Sequence, residues 1–321
     1  MIEQANILAL TGGVGGAKLA LGLARSLLPK QLTIVANTAD DFFHLGFPVS
    51  PDLDTVMYTL AGLNNVEQGW GLANETWQFM DAMSKLGGDT WFRLGDRDLA
   101  THTRRRQYLE QGLSLEQVTA KLCQALGVEQ QLIPMTNDAV ATQVLTDQGW
   151  LDFQDYFVGQ QCQPPVSEIR FNGMALAAPS EAFEAAIAAE PKAIIICPSN
   201  PFVSVDPILK IPSVLPKLKR CRAPIIAVSP IVNGMAIKGP TAKMMEGLQM
   251  PISVIGVASY YSDTIDGLVI DRSDTDRAAE IEAMGIRVKI ADTMMHSEQD
   301  KINLAQQCLQ FAEQFDLSAL E

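Results

Sequence analysis

Residues 7–10 form a short apolar run that leads directly into Gly12-Gly13-Val14-Gly15-Gly16, and residues 17–28 then carry the apolar spacing of a helix. A second buried strand resumes at 32–36. Together these constrain the chain to a parallel βαβ start, since a crossover helix is the usual link between neighbouring strands of the same sense. The buried-strand pattern returns at 131–133, 193–196, 224–228 and 252–257 with helices between, so one sheet runs through both halves. The expected fold is α/β, a Rossmann-like three-layer sandwich with a mainly parallel sheet. Strand signals lapse over about residues 56–130, which predicts a helical insertion there. The alanine-rich stretch 182–189 reads as helix, and 299–315 as a closing amphipathic helix. With 321 residues, 47% of them hydrophobic, residues 1–321 can bury a core as a single unit.

Acidic residues outnumber basic ones 37 to 24, and the formal charge of -13 argues against a nucleic-acid partner. The run Arg104-Arg105-Arg106 is either a solvated helix face or a local phosphate contact. Five cysteines, an odd number without CxxC spacing, indicate neither a zinc site nor a disulfide framework, and fit a reducing cytoplasm. Glu3 before the first apolar run, the glycines inside it and Lys18 after it do not make a signal sequence. No stretch approaches the roughly twenty apolar residues that span a bilayer, so no membrane association is expected.

The glycine turn is not a P-loop, because Ala17 and Leu19 flank Lys18, nor a dinucleotide fingerprint, because Lys18 stands where Gly or Ala is required. It offers amides to a phosphate at a helix N-terminus, or serves tight packing alone. Two acidic clusters lie downstream, Asp40-Asp41 and Asp52/Asp54. In an extended segment Asp52 and Asp54 would point the same way and offer oxygens to one Mg²⁺, whereas in a helix start they would act as caps. Gly95-Asp96-Arg97-Asp98 adds acid and cation near Arg93 and His102, with Arg97 suited to a transferring phosphoryl group; a surface ion-pair loop is the alternative. Pro198-Ser199-Asn200-Pro201 follows a buried strand on the binding side, and Cys197 before it reads as structural. Lys238 and Lys243, near Gly239, could take a second phosphate or face solvent.

In order along the chain, TGGVGGAK at 11–18, NTADD at 37–41, PDLDTVMYTL at 51–60, WGLANETW at 70–77, LGDRDLATH at 94–102 and PSNP at 198–201 resemble the 2-phospho-L-lactate transferase family of coenzyme F-420 biosynthesis. The resemblance implies a single catalytic α/β unit whose insertion covers the acceptor. It implies a Mg²⁺-dependent enzyme that transfers phospholactate, or phosphoenolpyruvate, from a guanosine diphosphate ester to the ribityl hydroxyl of the deazaflavin precursor Fo, releasing GMP. By position, Asp54 and Arg93 would hold Fo; Gly12, Gly13, Gly15, Gly16, Lys18, Ser199 and Asn200 would line the ester. Asp40, Asp52 and Asp54 are the metal candidates, and Asp54, Asp40 and Arg97 the catalytic ones. Trp70, Trp77 and Trp91 are candidate ring neighbours, with core packing expected for at least two. A homodimer fits the family, although no apolar stripe marks an interface. The rivals are a non-catalytic nucleotide-sugar-binding regulator of the gluconeogenesis-factor type and a nucleotidyltransferase or kinase.

Overall fold

The computed structural model describes residues 6–237 and 239–315, so Glu3 and Lys238 lie outside the described residues. Seven parallel strands form the central sheet: β1 (Ile7–Thr11), β2 (Leu32–Ala36), β3 (Gln131–Pro134), β4 (Ala193–Ile196), β5 (Ile225–Val228), β6 (Gly267–Asp271) and β7 (Arg287–Ala291). Their spatial order is β3-β2-β1-β4-β5-β6-β7. The chain therefore winds outward from β1 in one direction, returns, and winds outward from β4 in the other. A crevice opens between β1 and β4, at the carboxyl ends of the strands.

Successive residues of each strand face opposite sides, and the core divides accordingly. Leu8, Leu10, Ile194 and Ile196 join one apolar cluster, while Ile7, Ala9, Ala193 and Ile195 join the other. The second cluster also holds α1 (Gly13–Ser26), α2 (Pro51–Leu60) and the closing helix Glu298–Glu313, completing a three-layer sandwich.

Between β2 and β3 come a short hairpin, Phe42–His44 with Phe47–Val49, and α2, α3 (Gln78–Lys85), α4 (Asp98–Glu110) and α5 (Leu115–Ala125). The insertion is thus helical, with a small core of its own around Val49, Met80 and Leu94. A second insertion, not expected, is an antiparallel sheet of Ala141–Thr146, Gly149–Asp152 and Glu168–Asn172.

Two expectations need correction. Residues 252–257 are not a strand; a helix, Val254–Tyr261, occupies that stretch because the Ser253 hydroxyl accepts the Gly256 N–H and starts it. Short apolar runs fit either period, and capping decided here. The true outer strands are β6 and β7. Likewise Asp52 and Asp54 are not on extended chain but in the first turn of α2, where residues two apart face nearly opposite ways.

Candidate active site

The glycine turn leaves β1 beside the segment that leaves β4. Gly13 has a φ of +63°, a left-handed conformation that glycine adopts without strain. Gly15 lies so close to the Pro198 carbonyl oxygen that any side chain would collide with it. The Gly12 N–H donates to Ser199 Oγ (3.1 Å), and Asn200 Oδ1 accepts the Phe202 N–H (2.9 Å) to start the following turn. Packing therefore accounts for part of the glycine pattern, yet Gly12, Gly13 and Gly15 still line the cavity described below.

Asp52 and Asp54 diverge from α2 to different partners. Asp52 Oδ1 accepts the Gly13 N–H (2.6 Å), and its Oδ2 accepts the Asn37 amide (3.0 Å). Asp54 Oδ1 accepts from the buried Arg105, and its Oδ2 has no hydrogen-bond partner. Asp40, in the turn after β2, is buried with Oδ1 also unpartnered. Burial raises the Asp40 pKa well above the usual carboxylate range, and the Asp52 charge adds to it. Burial also raises Asp52 and Asp54, against the opposing pull of their hydrogen bonds and of Arg105. Asp98 differs: burial would raise it, but His102, Tyr58 and Arg105 together hold it below its ordinary value.

These groups line a single cavity of about 480 Å³, within the range of small-molecule sites. Segments that follow the central strands contribute Gly12, Gly13, Gly15, Lys18, Ser199, Asn200, Thr241 and Thr293 to the lining, here called the sheet wall. Asp40, Asp52 and Asp54 lie on the lining too, and the two insertions contribute Trp70, Phe92, Arg93, Phe153 and Phe157, the insertion wall. Lys18 donates to the Met295 carbonyl (2.9 Å), and Arg93 lays its guanidinium over the Trp77 ring (4.2 Å to the centroid). Gly16 does not line the cavity; it is buried against Thr11 and Ser199. Lys243 donates to the Cys162 carbonyl, while Gly239 lines the cavity.

Arg97 is also not brought to the cavity; its guanidinium donates to the Ala73 carbonyl. The loop around it is a reciprocal clasp. Asp96 accepts the Gln78 and Phe79 N–H groups at the start of α3, and Glu75 accepts the Arg97 N–H at the start of α4. Among the tryptophans, Trp70 alone lines the cavity. Trp77 packs on the insertion core beneath Arg93, and Trp91 meets His44 and Phe92 edge-on, so neither lies in the main core. Cys197 and Cys308 are buried, with the Cys308 thiol pushed up to about 12, consistent with structural roles.

The residues that sequence reasoning underweighted are Tyr58, Asp98, His102 and Arg105. Tyr58 donates to Asp98; His102 stands 3.5 Å from Asp98 and 3.9 Å from Asp54. Arg104 and Arg106 remain exposed, so the arginine run divides into one buried and two solvated members. The usable signal was spacing, because positions 98, 102 and 105 share one helix face.

An outward-winding parallel sheet with a glycine turn at its reversal and carboxylates alongside defines a Rossmann-like protein with its ligand crevice at the strand ends. The chain belongs to the 2-phospho-L-lactate transferase CofD family, whose model matches residues 7–308. It is 37% identical to the 2-phospho-L-lactate transferase of Methanosarcina acetivorans, over 92% of this chain and 96% of that one. It is 39% identical to the phosphoenolpyruvate transferase of Kitasatospora aureofaciens, over 96% of this chain and 98% of that one. A crystal structure of a UPF0052-family protein from Bacillus halodurans shares the fold, with a TM-score of 0.61 at 14% identity, over 96% of this chain and 100% of that one. The chain is thus a transferase, and its family places it in F-420 biosynthesis. Among the described residues, no helix is long and apolar enough to cross a membrane.

Proposed function

We propose that this enzyme transfers a phospholactyl or phosphoenolpyruvyl group from its guanosine diphosphate ester to the terminal ribityl hydroxyl of Fo. The observation that carries this reading is one cavity lined together by the glycine turn, by Trp70, Phe92, Phe153 and Phe157, and by Asp40, Asp52 and Asp54, of which Asp40 and Asp54 each keep a buried oxygen without a hydrogen-bond partner. The glycine turn, Lys18, Ser199 and Asn200 would hold the diphosphate. Trp70, Phe92, Phe153 and Phe157 would flank the flat deazaflavin. The hydroxyl oxygen would bond to the phosphorus that bears the organic acid. The bridging bond to GMP would break, and the hydroxyl proton would pass to Asp54 or Asp40.

Mg²⁺ fits this donor set. Among the described residues no three His, Cys, Asp or Glu side chains stand ready as ligands, yet Mg²⁺ needs only one or two carboxylates beside water and substrate phosphate. Asp40 Oδ1 and Asp54 Oδ2 are buried oxygens without a hydrogen-bond partner, which a cation would satisfy. Asp52 would join them when a donor phosphate replaces it at the Gly13 amide. Bound there, the ion would neutralise charge on the diphosphate oxygens, a contribution of several kcal/mol.

The test is mass-resolved turnover of Fo with Mg²⁺ and each ester. A chromophore-bearing product with released GMP is expected, and the faster ester identifies the donor. Tight guanosine nucleotide binding with no product from either ester would refute the transfer and favour a binding regulator.

A further inference from the structure

The face of α4 that carries Asp98, His102 and Arg105 makes no direct use of Arg105 at the cavity, since Asp98 and His102 line it and Arg105 does not. Arg105 is nonetheless 2% exposed, an unusual place for a guanidinium. We propose that this face is a positioning device for Asp54, with Arg105 its principal member; the idea rests on the transferase reading, in which Asp54 meets the cation and the hydroxyl.

An aspartate carboxylate turns broadly about its terminal torsion, so burial alone does not decide which oxygen meets a ligand. Arg105 decides it here. One guanidinium nitrogen donates to Asp54 Oδ1, and the other donates to the Pro48 carbonyl (3.2 Å), anchoring the fork to the hairpin strand that leads into α2. His102 Nδ1 lies 3.2 Å from that second nitrogen and 3.9 Å from Asp54 Oδ2, bordering the free oxygen. Asp98 faces the other ring nitrogen of His102, and Tyr58 in turn holds Asp98. Asp54 is thereby gripped on one oxygen, while the other, also buried, keeps no hydrogen-bond partner. Arg105 is not itself on the cavity lining, so it acts through Asp54, which is.

Lysine keeps the charge of Arg105 but lacks the planar fork that reaches Asp54 and Pro48 together. Arg105→Lys in the full-length chain should keep cooperative unfolding and lower kcat about 30-fold, the scale of a small misplacement, with the KM of donor and acceptor within about threefold of wild type. Mn²⁺ binding to the free protein, read by electron paramagnetic resonance, should weaken by about tenfold as the charge-assisted bond that orients Asp54 is loosened. His102→Asn, which leaves Arg105 in place, should move both readouts the same way by a smaller factor. It decides the matter alone if the lysine variant does not fold. A folded Arg105→Lys with wild-type kcat and Mn²⁺ affinity overturns the proposal. So does a kcat loss with unchanged Mn²⁺ affinity, which would mark Arg105 as merely structural. Absence of turnover in the wild-type chain would instead remove the transferase reading, and the Mn²⁺ comparison would still test the positioning.

Discussion

The two walls of the cavity are built on different principles. The sheet wall is backbone: amides of the glycine turn, fixed by the approach of Gly15 to the Pro198 carbonyl and by Gly12 donating to Ser199. The insertion wall is side chains, with aromatic rings and a buried charge network held by α2 and α4. Where Gly15 meets Pro198 the sheet wall tolerates no added atoms, whereas Gly13 faces open space. A side-chain wall tolerates size changes but depends on every charge having its partner. The same cavity therefore answers different perturbations from its two sides.

The largest expected effect separates activity from stability. Asp40→Asn should lower kcat about 100-fold or more by weakening cation binding. The same change removes a buried charge beside Asp52, so the thermal midpoint without metal should rise. A variant that loses both would mean that Asp40 is a structural residue. On the sheet wall, Gly15→Ala should destabilise by about 3 kcal/mol through overpacking, measured by urea unfolding. Gly13→Ala, in open space but at positive φ, should cost only about 1–2 kcal/mol. Equal costs would remove the distinction between a close approach and a backbone conformation.

On the insertion wall, Trp70 is 48% exposed. Trp70→Ala should raise the KM for the deazaflavin about tenfold, the loss of one ring contact, with the donor KM held within about twofold. A smaller effect tests the far end of the sheet wall, where Asp271 accepts from Ser273 and from Thr293, which lines the cavity. Burial opposes these bonds, but they hold the Asp271 pKa below its ordinary 3.8. A depressed native pKa stabilises above the unfolded value, and that stabilisation is lost as pH falls through the native one. Asp271→Asn should therefore be less stable than wild type near neutrality, with the gap closing in acid; a gap that persists in acid would assign the loss to packing.

The same contrast explains what the sequence disclosed. Strand, glycine turn and helix are local patterns, so β1 to β5, α1 and the closing helix are readable, whereas the bond from Gly13 to Asp52 is not. Parallel strands buried on both faces read as apolar runs, and 252–257 carries such a run although Ser253 starts a helix there. The insertion wall depends on contacts between distant segments. Arg105 meets Asp54 across 51 positions, and nothing in the triplet Arg104-Arg105-Arg106 singles out its middle member until 98, 102 and 105 are read as one face. Arg97 had the right chemistry and the wrong direction, because the loop that carries it was recruited to cap two helices.

The most direct test of the division between the walls is amide hydrogen exchange of the wild-type chain with GDP alone and with Fo alone. The account predicts that GDP protects 12–18 and 198–204, and that Fo protects 68–71 and 153–158. Protection of one wall by both ligands, or of the insertion by GDP, would contradict it.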